Sequence, residues 1–361
     1  MVDTAVAAVW HGTEERFRLE ELPLPRLQPG EVLVENRCAT LCGSDLHTIG
    51  GERSTPLPTV LGHEMVGEVV AVGGHVETYD GTPVTPGLRV TWSIGASCGS
   101  CVRCRRGIPQ KCARLRKYGH EAIDEQWQLS GGLASHCHVQ PGTALVQVPD
   151  SIPDSVATPA NCATATVASA LRTIGVRPGS TALVQGCGML GLTAVGYLRS
   201  LGVQTVVACD IDADRRALAE RCGATTTAAP DELRTAVLDA TAGEGTEYAV
   251  DLTGNDDACR AALELLAVGG RLGLVGSVFP TPGLQIAPEQ LVRRLISVTG
   301  VHNYAPVDLA DAVRFLDRHA DHELFGSFVP DTFPLAEIEQ AVTHATEKRP
   351  PRVAIDPSRQ R

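Results

Sequence analysis

The first 150 residues run as short valine-rich stretches separated by glycine and proline. Stretches at 5–10, 31–39, 65–74 and 88–93 are bounded by turn formers, the pattern of strands in an all-β, barrel-like unit. After Pro159 the pattern changes. A short apolar strand at 181–185 passes through a glycine-rich turn into an apolar helix at 190–201, followed by a strand at 205–210 and a helix at 214–221. The alternation continues with a strand at 247–252, a helix at 257–267, a turn at Gly269-Gly270 and a strand at 271–276. Strands alternating with helices predict a parallel sheet of right-handed βαβ units. Two more helices, at 306–319 and 335–346, do not continue the alternation, so the tail is expected to return to the first unit.

The glycine-rich turn reads Gly186-Cys187-Gly188-Met189-Leu190-Gly191, a G-x-G-x-x-G placed after a strand and at the start of a helix. In that setting Gly186 permits the tight turn, Gly188 lets a pyrophosphate approach the backbone, and Gly191 allows close helix packing. Helix N–H groups, here those of Met189 and Leu190, face the phosphates. The motif alone is weak. It gains weight from Asp210, at the end of the second strand, where a carboxylate accepts hydrogen bonds from an adenosine ribose and repels a 2′-phosphate. NAD is therefore expected, with NADP the alternative because Arg215 and Arg216 stand close by.

Length and charge narrow the setting. At 361 residues the chain exceeds the roughly 250–300 residues over which a single core grows, so two domains are expected. A net charge of −11 argues against nucleic acid or an anionic membrane as partner. No apolar run reaches the ~20 residues of a membrane span, and Met1 to Trp10 lacks the basic region of a secretory signal, so a cytoplasmic setting is expected.

That setting turns the twelve cysteines away from disulfides and towards metal. Cys98, Cys101, Cys104 and Cys112 put four thiols on one short loop. Tetrahedral zinc takes four thiolates at about 2.3 Å, and a closed set leaves no place for water, so this site would be structural. An iron–sulfur cluster is the competing reading of the spacing. A second, dispersed set contains Cys42 in Cys42-Gly43-Ser44-Asp45-Leu46-His47 and His63 in Gly62-His63-Glu64. Catalytic zinc needs three protein ligands and an open position; Cys42 and His63 supply two, and the residues alone single out no third.

With these motifs in place, the chain resembles the zinc-dependent medium-chain alcohol and polyol dehydrogenases over essentially its whole length. Leu61-Gly62-His63-Glu64 is similar to that family's G-H-E signature, and the segment from Cys42 to His47 to its first zinc-ligand segment. The resemblance implies an α/β protein: a GroES-like β-barrel catalytic domain over 1–163, with its structural zinc loop at 95–115, and a Rossmann domain over 164–301. The latter would be a doubly wound parallel sheet binding NAD, and the segment 302–361 would return to the catalytic domain. It also implies two Zn2+ per chain, a homodimer or homotetramer, and Cys162 as third ligand of the catalytic metal. Glu64 would then be an exchanging or neighbouring ligand, and Asp45 the carboxylate that orients His63. One departure is Gly87-Leu88-Arg89-Val90, where the family usually has G-D-R-V.

The reaction implied is hydride transfer between a dinucleotide and a small alcohol or ketone. Ser44 would take the hydroxyl proton and His47 would exchange it with solvent, a role suited to a pKa near 6.5. A narrower likeness, in Trp92-Ser93-Ile94, Lys117-Tyr118-Gly119-His120-Glu121 and Pro159-Ala160-Asn161-Cys162, is to phosphonate-catabolism-associated alcohol dehydrogenases and to enzymes of aminocyclitol-type intermediates. The competing readings are a reductase of conjugated C=C bonds and a non-catalytic nucleotide- or zinc-binding protein.

Overall fold

The strand Val32–Thr40 is the hinge of the first unit, and its sequence explains why. Glu35 and Arg37 are exposed while Val34, Asn36 and Cys38 are buried, so the period of two sets one face inward. A computed structural model describes residues 4–359. In it this strand pairs antiparallel with Glu64–Val72, with His136–Val139 and with Ala354–Asp356. Leu145–Gln147 and Arg89–Trp92 extend the sheet on one side, and Thr332–Pro334 on the other. A three-stranded sheet is built from Phe17–Pro23, Thr4–Trp10 and Thr59–Val60. The Phe17–Pro23 strand escapes sequence reading because polar Arg18, Glu20 and Glu21 interrupt its apolar residues.

This unit comprises residues up to 162 together with residues from 305 onward. The helices Pro306–Arg318 and Ile338–Lys348 belong to it. Tyr118 is wedged edge-on between Trp92 and Trp127, with ring centroids 6.3 Å and 5.1 Å away, and all three are fully buried. Such edge-to-face pairs add about 0.5–1.5 kcal/mol each beyond the burial itself, and they fix the chain on either side of Tyr118.

Residues 163–304 form the second unit. Its six-stranded parallel sheet runs Thr226–Ala228, Thr205–Cys209, Thr181–Gln185, Thr246–Asp251, Leu266–Leu274, Ser297–Gly300. This is the 3-2-1-4-5-6 order of a doubly wound dinucleotide-binding sheet. The helix Ala163–Ile174 precedes the first strand; ten of its twelve residues are buried, but most are Ala, Thr or Ser, small side chains that mark no clear apolar run in the sequence. The expected turn at Gly269-Gly270 is corrected: both glycines lie inside the strand Leu266–Leu274, where the pairing register shifts. The preceding helix ends at Glu264, not at 267.

Candidate metal and dinucleotide sites

Sheet register assembles the first metal set. Thr40 pairs with Glu64, so Cys42, two residues past one strand end, meets His63, one residue before the other. Cys42 caps the helix Gly43–Ile49, and its N–H donates to Asp45 Oδ2 at 2.9 Å. Asp45 Oδ1 accepts from His63 Nδ1 at 3.2 Å, which leaves Nε2 as the nitrogen with a lone pair to give. Cys162 follows a short 3-10 turn, Thr158–Asn161. Buried Asn161 anchors that turn, donating to the Trp92 carbonyl at 2.9 Å and accepting from the Met65 N–H at 3.3 Å. Cys42 Sγ and Cys162 Sγ lie 4.0 Å apart, and one ligand atom each from Cys42, His63, Glu64 and Cys162 falls within 4.8 Å of every other.

The electrostatics suit a cation. Cys42 is held well below the ordinary thiol range, first by the hydrogen bond from Cys162, then by Arg352 and His63. Burial disfavours the His63 imidazolium, yet Asp45 and Cys42 outweigh it and push its pKa up to about 10. Two sulfurs and an imidazole that together attract this much positive charge fit a zinc ion, whose soft N/S preference matches the set. Glu64 is buried and donates nothing: it accepts from Thr40 Oγ1 at 2.6 Å and from Arg352 at 2.7 Å and 2.8 Å. Arg352 also donates to Cys42 Sγ at 3.5 Å. Nothing in the sequence near Arg352 marks it, because its partners lie almost 300 positions away.

The proton-handling candidates sit on one helix. Ser44 Oγ lies 3.4 Å from His63 Nε2. His47 follows one turn later on the same face, half-buried, its Nδ1 hydrogen-bonded to Glu52.

The four-cysteine loop closes on itself. The Cys101–Cys104, Cys98–Cys112 and Cys101–Cys112 sulfurs are 3.5 Å, 3.4 Å and 4.0 Å apart. Bonds of 2.3 Å to a tetrahedral zinc would set sulfurs about 3.8 Å apart, inside that spread. An iron–sulfur cubane holds its cysteines farther apart. Backbone N–H groups of Cys98, Cys104 and Arg114 point at the sulfurs, and all twelve cysteines of the chain are free thiols.

In the second unit Gly186, Gly188 and Gly191 form the turn into the helix Met189–Ser200, with Met189 and Leu190 in its first turn. A Cβ on Gly191 would collide with the Gly186 carbonyl, so only glycine lets this helix approach. Above Gly188, by contrast, the space is open, as a cradle for a pyrophosphate requires. Asp210 stands beside the turn: its carboxylate accepts from the Cys187 N–H at 2.6 Å and from the Asp212 N–H at 2.9 Å. Arg215 lies in the first turn of the following helix, Ala213–Arg221.

A dinucleotide-type sheet and a zinc-type donor set together define a zinc-binding dehydrogenase, and comparison with known proteins agrees. Residues 28–150 match the alcohol dehydrogenase GroES-like domain, and residues 190–318 match the zinc-binding dehydrogenase domain. The chain is 32% identical to an L-threonine 3-dehydrogenase of Anaeromyxobacter sp. (strain Fw109-5), over 79% of this chain and 80% of the relative. It is 30% identical to a D-altritol 5-dehydrogenase of Agrobacterium fabrum, over 90% and 91%. An alcohol dehydrogenase from Thermotoga maritima superposes with a TM-score of 0.93 at 29% identity, covering 98% and 99% of the two chains. The chain belongs to the zinc-dependent medium-chain alcohol and polyol dehydrogenase family. It is an oxidoreductase of a family that uses zinc and NAD(P), and no helix among its described residues is long and apolar enough to cross a membrane.

Proposed function

We propose that this protein transfers hydride between NAD(H) and the secondary alcohol or ketone of a small hydroxylated molecule, a polyol, cyclitol or phosphonate alcohol. The observation that carries the reading is the set of Cys42, His63 and Cys162 donors with Ser44 Oγ 3.4 Å from the His63 nitrogen. Relatives named for sorbitol and altritol support a polyol-like substrate.

When bound, zinc supplies Lewis acidity that lowers the pKa of a substrate hydroxyl, and the nicotinamide supplies the hydride acceptor. Cys42, His63 and Cys162 would hold the metal, and Asp45, accepting from His63 Nδ1, leaves Nε2 as the nitrogen that would donate to it. Ser44 Oγ receives the hydroxyl proton. His47, one turn on and partly open to solvent, takes the proton out while Glu52 steadies its ring. Glu64, hydrogen-bonded to Arg352, stands within reach of the three donors as a neighbouring or exchanging ligand. Cys98, Cys101, Cys104 and Cys112 hold a second zinc whose role is to fix their loop. Asp210, at the glycine turn, disfavours a 2′-phosphate and selects NAD. We further propose that copies pair through the edge strand Ser297–Gly300, beside which Val292 and Leu295 are 73% and 69% exposed.

The test is NADH formation from polyols, cyclitols and hydroxyalkylphosphonates, with an unsaturated ketone plus NADH as the contrasting assay. Zinc content should be about two per chain and fall by about half in Cys162→Ala, with oxidation lost. Full activity after complete metal removal would overturn the reading.

A further inference from the structure

Arg53, Lys117 and His120 have no place in the reaction as derived, yet the fold gathers them beside the metal donors. Lys117 lies in the short strand Arg116–Lys117, paired to Gly95–Ala96, directly before the wedged Tyr118. The next residue, Gly119 (φ +72°), packs so closely that a Cβ there would sit 2.6 Å from the Gly62 carbonyl. This brings the His120 ring to 5.3 Å from the His63 ring, tilted by 31°. The loop bearing Arg53 closes on the same segment: the Arg53 N–H donates to the His47 carbonyl at 3.2 Å, and Thr55 Oγ1 donates to the His120 carbonyl at 3.5 Å.

Two features of this cluster are unsettled within the protein itself. His120 is only 9% exposed, and both of its ring nitrogens are buried without a hydrogen-bond partner. Buried polar groups of folded proteins almost always have one. Lys117 and Arg53 are half-buried, and among the described residues neither forms an ion pair with a carboxylate. Burial, then the charge of Arg53, disfavours the Lys117 ammonium, while Cys162, Cys42 and Asp45 favour it. The ammonium is thus within electrostatic reach of the donor set. The neighbouring carboxylates are engaged elsewhere: Glu121 Oε1 accepts the Lys117 backbone N–H at 2.9 Å, and Glu52 is hydrogen-bonded to His47. A neutral polyol would leave the two cations side by side with no counter-charge paired to either.

We infer that Arg53, Lys117 and His120 form a substrate subsite for an oxyanion, a carboxylate or a phosphonate carried by the alcohol itself. The two cations take the anionic oxygens, and His120 offers its ring nitrogen to a hydroxyl of the same molecule. The inference rests on the dehydrogenase reading and narrows its substrate class: the alcohol is an acid.

Two matched pairs of secondary alcohols test it on the zinc-loaded enzyme with NAD: 3-hydroxybutyrate against its amide, and 2-hydroxypropylphosphonate against its dimethyl ester. The charged member should have the higher kcat/KM, by roughly ten- to a hundredfold, the worth of one charge-assisted hydrogen bond. Whichever pair shows the larger ratio names the anion. Lys117→Met and Arg53→Met should each shrink that ratio by a similar factor, through KM, while Lys117→Arg keeps it. Equal use of both members, or an unchanged ratio in Lys117→Met, overturns the inference. Calorimetric titration with inorganic phosphate separates the two readings. Phosphate binding that Lys117→Met abolishes, in an enzyme that oxidises none of the alcohols, sinks the dehydrogenase proposal and keeps the subsite. Oxidation without charge preference, together with no phosphate binding, does the reverse.

Discussion

Asp45 uses both carboxylate oxygens on the proposed metal donors, accepting from the Cys42 N–H with one and from His63 with the other. A side chain so committed is a positioning residue; the proton transfer is proposed for the adjacent Ser44, whose Oγ lies 3.4 Å from His63 Nε2. Ser44→Ala should therefore lower kcat by roughly 10²–10⁴-fold, the usual worth of a general acid–base group, with little change in NADH affinity measured by fluorescence. Unaltered turnover would remove Ser44 from the relay. Arg352 gives a stability prediction of another kind. Replacing it by Met leaves Glu64 buried and unpaired, which costs about 3–5 kcal/mol. The double variant Arg352→Met/Glu64→Gln should recover much of that loss in denaturant unfolding, because no lone charge remains. Equal instability of the single and double variants would count against charge as the cause.

At the scale of elements, what was legible follows from how local each signal is. The Gly186–Gly191 turn and the Cys98–Cys112 loop are written in contiguous residues, so the grouping of their side chains and backbone reads straight from spacing. Strands at 181–185 and 205–210 show because buried parallel strands are continuous apolar runs. The hairpin strand Phe17–Pro23 and the helix Ala163–Ile174 do not show, since long-range packing overrides their weak patterns. His120 and Arg352 were illegible for the same reason: only tertiary pairing brings them to the donors. Another such long-range link joins the hairpin to the C-terminal helix Ile338–Lys348. Arg16 pairs with Glu339, which also accepts the Phe17 N–H at 3.3 Å. Partial burial raises the Glu339 pKa, but Arg16 and the Phe17 N–H outweigh it, and the net shift is downward. A carboxyl lowered on folding adds stability above its unfolded pKa of about 4.3, and loses it as pH falls through the folded value. Glu339→Gln should thus cost under about 1 kcal/mol at pH 7, an exposed pair being screened, and less at pH 3. Urea midpoints at the two pH values check this; a gap as large at pH 3 as at pH 7 would contradict it.

For the molecule as a whole, the exposed Leu295 is the most informative surface residue. It ends the helix Pro288–Arg294 in a left-handed conformation (φ 54°) that non-glycine residues seldom adopt, and it presents an apolar side chain to solvent. Covered by a second copy, it would lose that exposure. Leu295→Asp with Val292→Asp should shift sedimentation towards monomer while each chain keeps its zinc; an unmoved sedimentation coefficient would place the interface elsewhere.

The ion pair of Arg352 with Glu64 spans 288 positions of sequence. During synthesis, Cys42, His63 and Cys162 all leave the ribosome well before the guanidinium that neutralises the carboxylate packed against them. Until Arg352 is made, Glu64 lacks its buried counter-charge, so the barrel around it cannot close dry. A nascent chain truncated before Arg352 should accordingly remain protease-sensitive in its first unit, while residues 163–304, whose sheet is complete by Gly300, are free to fold earlier.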